Sequence, residues 1–279
     1  MTAIKQTKLL EQTSPQPTAV DWTGGWRYET IQLADGREDL VRIPLTDEEI
    51  LHPQEGYVMP ERTYHEAICR DLSDMLLVRY QNQVAMAVFH DLIFEWDKPD
   101  LKDHAPDIAV VPHVRDRDAD RGKFVVAEEG TRPLLIIEVV SPKTRTNDRS
   151  TKVKQYARAG VQEYLYIDHW TRKGQEIWEV VGFRLEEGHY VPLVPDEDGA
   201  VYCQSVGLRI GIENGKVWIE DTETGQDLLT HLATQEALRV AEEARKAAEA
   251  QVAAEAETRR SAEARVAELE AQLRALRGE

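Results

Sequence analysis

Residues 132–168 read RPLLIIEVVSPKTRTNDRSTKVKQYARAGVQEYLYID. LLIIEVV reads as a strand, and because apolar residues fill both of its alternating faces it should be covered on both sides. The stretch from Asp148 to Ala159 reads as a helix. Asn147 or Asp148 can cap its start, and Gly160 suits the left-handed position after its end. EYLYID is the next strand, so the segment is a strand–helix–strand unit with a carboxylate, Glu138, set inside its first strand.

An ionised carboxylate in a strand buried on both faces costs several kcal/mol unless it is compensated. Glu138 could reach solvent at the strand end, pair with a nearby lysine, or bind a cation. The last choice needs a second acid. Asp107 in HAPDIAVVP begins another apolar strand, directly after Pro106, where proline is tolerated because no ladder N–H is required. Two such strands side by side would bring the carboxylates together. Like charges held close raise each other's pKa, and a hard divalent cation resolves the repulsion. Lys152 lies one turn before Tyr156 and shares its face, whereas Lys154 points elsewhere. An ammonium beside the cation could orient the attacking water or stabilise charge on a phosphate. Residues 143–158 carry Lys143, Arg145, Arg149, Lys152, Lys154 and Arg158 against one acid, Asp148, a net of +5. That suits an anionic substrate, although a solvated basic helix would look the same.

The rest of the chain supplies the frame. Residues 1 to about 20, with Pro15 and Pro17, read as a loose arm, and WRYETIQLADGREDLVRIPLT reads as a hairpin around an ADG turn. After a proline-containing loop, Thr63 and Glu66 match a capping box opening a helix. Ile68, Leu72, Met75, Leu76 and Val78 form its apolar stripe. VAMAVFHDLIFEW is a further strand candidate, and EIWEVVGFRLEEGHYVPLV and KVWIED continue the sheet material. Helices and strands mixed in this order give a mixed α/β body. DRDADRG (residues 116–122) lacks the glycine and glutamate placement of an EF-hand loop and reads as a mobile loop beside the site. Asp168 reads as a turn residue, and Tyr156, Tyr164 and Tyr166 as packing groups rather than the base-stacking groups they could also be.

From about Thr234 the sequence loses aromatics and becomes Ala, Glu and Arg. Ala262, Val266, Leu269, Leu273 and Leu276 form a short heptad seam, which fits either self-association or a single solvated helix. The formal charge is −17. The tail holds ten acids and eight bases, leaving about −15 on the body. A general nucleic-acid binder needs clustered Lys and Arg, so only a local basic groove would serve. Cys69 and Cys203 have no CxxC or histidine spacing, which argues against a disulfide or zinc site. No start-of-chain apolar region or membrane-length run is evident, and the expectation is a cytoplasmic protein without membrane contact.

Taken together, the PD of residues 106–107, EVVSPKT from Glu138 and DRSTKVKQYARAGVQEYLYID from Asp148 resemble the Uma-two family of restriction-endonuclease-like proteins. The resemblance covers about residues 57–225 and implies a fold of the PD-(D/E)XK nuclease superfamily. Its domain reading is an arm and hairpin (1–56), a nuclease domain (57–232) and a C-terminal helix (233–279). It implies that Asp107 and Glu138 are metal ligands, joined by the Val139 carbonyl, with Mg2+ or Mn2+ as cofactor. The superfamily's lysine, two after the glutamate, is replaced by Val140. The resemblance places it on the following helix as Lys152, making Asp107, Glu138 and Lys152 the catalytic set, with Lys143 as rival. Glu66 is a candidate extra acid, or simply a cap, and His65 beside it reads as a polar helix-start residue. Lys143, Arg145, Arg149 and Lys154 are the expected contacts to nucleic acid, with DNA favoured. The rival class is a catalytically silent binding or scaffold protein assembled through the C-terminal helix.

Overall fold

A computed structural model describes residues 20–277, with the side chains of residues 275 and 276 undescribed. The expected arm, with Pro15 and Pro17, and the seam side chain Leu276 lie outside the described residues.

In chain order the elements are β1 (Trp26–Gln32), β2 (Glu38–Pro44), α1 (Asp47–Leu51), α2 (Thr63–Tyr80), β3 (Met86–His90), β4 (Ile93–Glu95), β5 (Ile108–Pro112), β6 (Lys123–Val125), α3 (Val126–Glu129) and β7 (Leu135–Val139). A π-helical turn (Asn147–Thr151) then leads into α4 (Lys152–Ala159). β8 (Glu163–Arg172), β9 (Gln175–Glu186), β10 (His189–Pro192), β11 (Val201–Cys203), β12 (Leu208–Glu213), β13 (Lys216–Asp221), β14 (Gln226–Asp227) and α5 (His231–Arg277) complete the chain.

The central sheet has the order β10-β9-β8-β7-β5-β3 and is mixed. β7 and β8 run parallel and are joined by α4, whereas β3–β5, β5–β7 and β8–β9 are antiparallel. The quoted strand–helix–strand segment is therefore its core, a mixed α/β fold. The period-two alternation of β5 and β7 feeds two cores. Ile108, Val110, Leu135 and Ile137 pack towards α2 and the β11–β14 sheet. Ala109, Val111, Ile136 and Val140 pack with Tyr156, Tyr164 and the aromatic group Phe94, Trp96 and Phe124. The three tyrosines are buried packing groups, as expected.

The β1–β2 hairpin forms as expected, with Gly36 at φ +82 in its turn. In α2, Ile68, Leu72, Met75 and Leu76 are buried, while Val78 is half-buried. The apolar run of residues 84–96 is two strands, not one. Asp91, at φ +55, breaks it because that left-handed backbone cannot continue a strand. Asp168 is not a turn residue; it is fully buried within β8. The 116–122 loop is anchored at the far end of α2. Arg117 donates to the carbonyls of Tyr80 and Gln81 at 3.1 and 3.0 Å, closing helix-end acceptors.

α5 starts at His231, three residues before the expected point. Ala233 N–H donates to the Thr230 hydroxyl at 3.2 Å, and the His231 N–H donates to Asp74 of α2 at 2.6 Å. Val266, Leu269 and Leu273 stay exposed on it. Among the described residues, no helix is long and apolar enough to cross a membrane.

Candidate active site

Ile108 pairs with Ile137 across the antiparallel β5–β7 ladder. Continuing that register one step sets Asp107 opposite Glu138. The Val139 N–H donates to Asp107 Oδ2 at 2.7 Å, fixing this carboxylate at the strand start. Glu138 is buried, at 2% exposure. Tyr156 donates its hydroxyl to Glu138 Oε1 at 2.6 Å, and Lys152 Nζ lies 2.9 Å from Oε2. The shared face of Lys152 and Tyr156 thus converges on one carboxylate, and the lysine-paired alternative for Glu138 is the arrangement found.

Lys152 is also buried and bridges to Asp148 Oδ1 at 2.9 Å. The expectation that Asp148 or Asn147 caps this helix fails. Arg145 N–H already donates to Ser141 O and Asp148 N–H to Thr144 O, so the helical turn starts earlier. Released from capping, the Asp148 carboxylate turns inward one helical turn before Lys152, an i,i+4 pair. Asp148 is thus a buried site residue that the sequence reading missed.

The α2 capping box is also absent. Its N-cap is Arg62, with no side-chain cap bond. The exposed Glu66 lines the rim of the cleft, and its neighbour His65 turns in instead. His65 Nε2 lies 3.3 Å from Asp107 Oδ2, and its Nδ1 lies 3.7 Å from Cys69 Sγ. His65, Cys69 and Asp107 offer ligand atoms all within 4.8 Å of one another. Cys69 therefore does have a histidine beside it, contrary to the reading that it has no histidine spacing. The missed signal is H-x-x-x-C, whose i,i+4 spacing puts both groups on one helix face. Both cysteines are free and buried, as expected.

These groups open into a cleft of about 500 Å3 lined by Asp107, Glu138, Lys152, His65 and the further acids Glu61 and Asp91. Val139 also lines it. Burial pushes the Glu138 carboxyl up to about 8; the Lys152 ammonium opposes this, and the charges of Asp107 and Asp148 add to it. Burial also raises Asp148 and Asp91. Burial works most strongly against charge on His65, but its bond to Asp107 and the charges of Asp107, Glu61 and Glu138 together outweigh it and hold the imidazole at about 9. For Asp107 burial is the largest effect but is likewise outweighed, by the His65 bond and charge together with the Lys152 charge and the Val139 N–H, so its carboxyl is lowered. The cleft is short of positive charge, the condition a divalent cation would relieve. Its oxygen donors fit a hard cation.

The remaining basic residues are dispersed. Arg145 and Arg149 pair with buried Asp168 at 2.9 and 3.1 Å, and Arg149 also pairs with Glu179. Lys143 pairs with Asp21, and Lys154 is exposed on the side of α4 away from Lys152.

The family model described as Uma2, putative restriction endonuclease, matches residues 29–217. Among solved structures, a putative nuclease belonging to DUF820 from Anabaena variabilis ATCC 29413 is similar, at 18% identity and a TM-score of 0.39, covering 57% of this chain and 83% of that one. No curated protein matches the chain. With more than half of its length inside the family match, the chain belongs to the Uma2 family, described as putative restriction endonucleases.

Proposed function

We propose that this protein is a divalent-metal-dependent endonuclease that hydrolyses phosphodiester bonds of DNA. The observation that carries the reading is the convergence of Asp107 and Glu138, from adjacent strands, with buried Lys152 in one acidic cleft. Asp107, Glu138 and the Val139 carbonyl would hold Mg2+ or Mn2+. Bound there, the cation would supply Lewis acidity towards the phosphate and lower the pKa of water. His65 keeps Asp107 ionised, Tyr156 fixes the orientation of Glu138, and Lys152 holds positive charge in the cleft where the phosphate must enter. Asp107 also belongs to the His65–Cys69 set, whose nitrogen and sulfur donors suit borderline metals better than Mg2+.

The rival reading, a catalytically silent binding or scaffold protein, draws on the Lys152 and Tyr156 contacts, which give both Glu138 oxygens a partner without a cation. Incubation with plasmid and Mg2+ decides between them. Wild type should nick and Asp107→Ala and Glu138→Ala should not; absence of nicking by wild type, or equal nicking by the variants, sinks the nuclease reading. The apolar seam of α5 is the surface proposed for self-association, and a monomeric mass by sedimentation would refute it.

A further inference from the structure

Beyond the acidic cleft the surface reverses polarity. The cleft shares Glu61, Ser141 and Thr144 with a second depression that also contains Arg62, Pro142 and Lys143. That depression in turn shares Arg62 and Pro142 with a pocket of about 260 Å3. The three depressions thus adjoin one another, the middle one lying against the Ser141–Thr144 turn. The far pocket is lined by two arginines, Arg62 and Arg145, by Tyr64, His169 and Trp170, and by no acid.

Its walls are built rather than loose. Arg145 Nη2 donates to Asp168 Oδ1 at 2.9 Å and to the His169 carbonyl at 2.6 Å, while its buried Nε has no partner among the described residues. The guanidinium groups of Arg145 and Arg149 lie 6.0 and 5.6 Å from the Trp170 ring centroid. The His169 ring stacks on Trp178 at 3.9 Å and meets Tyr64 edge-on at 5.4 Å. Arg62 is exposed and makes no ion pair among the described residues. Fixed aromatic rings beside cationic groups are the chemistry that holds a base and its phosphate on a single strand. The pocket is smaller than the roughly 300–1,000 Å3 that enclose a whole drug-sized ligand, and suits one planar ring.

We propose that the Arg62–Arg145–Trp170 pocket is a subsite for one unpaired nucleobase and its phosphate, on a single-stranded DNA segment that leads into the cleft. The inference rests on the nuclease reading for its direction, but its test does not require cleavage. A fluorescently labelled single-stranded oligonucleotide carrying 2-aminopurine is titrated with the full chain, with Ca2+ in place of Mg2+. Binding should quench 2-aminopurine. Trp170→Ala should weaken binding by about 5- to 150-fold, the range for loss of one base–aromatic stack, and Trp170→Phe should largely restore it. Arg62→Glu, a change at an exposed side chain, should weaken binding and lower the salt slope by about 0.7, the value for one phosphate contact on a single strand.

Wild-type affinity in both Trp170→Ala and Arg62→Glu overturns the proposal, as does equal binding of the matching duplex. If Trp170-dependent binding appears without plasmid nicking, the subsite stands and the nuclease reading falls. Nicking with unaltered binding in the variants gives the converse.

Discussion

Replacing Glu138 by glutamine tests the electrostatics of the cleft directly. In the metal-free protein its carboxyl is pushed up to about 8 from an ordinary 4.5, first by burial. Because the folded value is the higher one, this contribution to stability is fully present below pH 4.5 and is lost as pH rises through 8. At pH 7 ionising the unfolded state draws the balance towards unfolding by about 3 kcal/mol, at 1.36 kcal/mol per pH unit. Glutamine carries no such charge; its single oxygen can accept from Lys152 while its NH2 donates to the Tyr156 hydroxyl, at an offsetting cost of about 1 kcal/mol for a weaker bond. Glu138→Gln should therefore stabilise the metal-free protein at pH 7 by about 2 kcal/mol, a rise of roughly 4–8 °C in melting temperature for a domain of this size. The gain should vanish near pH 4.5. Added Mg2+ should then reverse the order, because a cation at 100 times its Kd stabilises wild type by about 2.7 kcal/mol and the variant lacks a ligand. Urea unfolding in EDTA at pH 4.5 and 7, repeated at pH 7 with Mg2+, reads all three. A variant less stable than wild type at pH 7 in EDTA, or a gain independent of pH, would refute the reasoning.

Asp168→Asn should destabilise the fold by about 2–4 kcal/mol by chemical denaturation, since it strips the buried partner from Arg145 and Arg149; an effect below 0.5 kcal/mol would show that the arginines simply re-solvate. For His65, burial opposes charge, but the Asp107 bond and the charges of Asp107, Glu61 and Glu138 together prevail and hold the group at about 9. Its stabilisation is thus full below pH 6.5 and lost as pH rises through 9. His65→Gln should flatten stability against pH across that window in EDTA, and an unchanged slope would count against the pair. Co2+ added to the protein should produce a thiolate-to-metal absorption band that Cys69→Ser removes, while the same band in the variant would place the thiolate elsewhere.

Much of the fold was legible because it rests on local patterns. A two-faced apolar strand, an amphipathic segment stopped by Gly160 and a parallel return strand define the centre of the sheet, and α2 and the hairpin follow from their own periodicities. The pairing of Asp107 with Glu138, and the reach of Lys152, also follow from strand ends and helix spacing. Where the local rules failed, long-range partners had taken the residues: Asp148 left its cap for Lys152, Glu66 yielded the inward position to His65, and Asp168 went into the core with two arginines.

The amino-acid sequence by itself determined which residues could be acids in strands and bases on a helix, since spacing along the chain fixes the faces they share. Only the tertiary structure decided which of those charges meet. Burial makes an unpaired charge expensive, so the folded chain set Arg145, Arg149 and Lys152 against buried acids, brought His65 and Cys69 to Asp107, and left the cleft acidic with the arginine- and aromatic-lined pocket beside it.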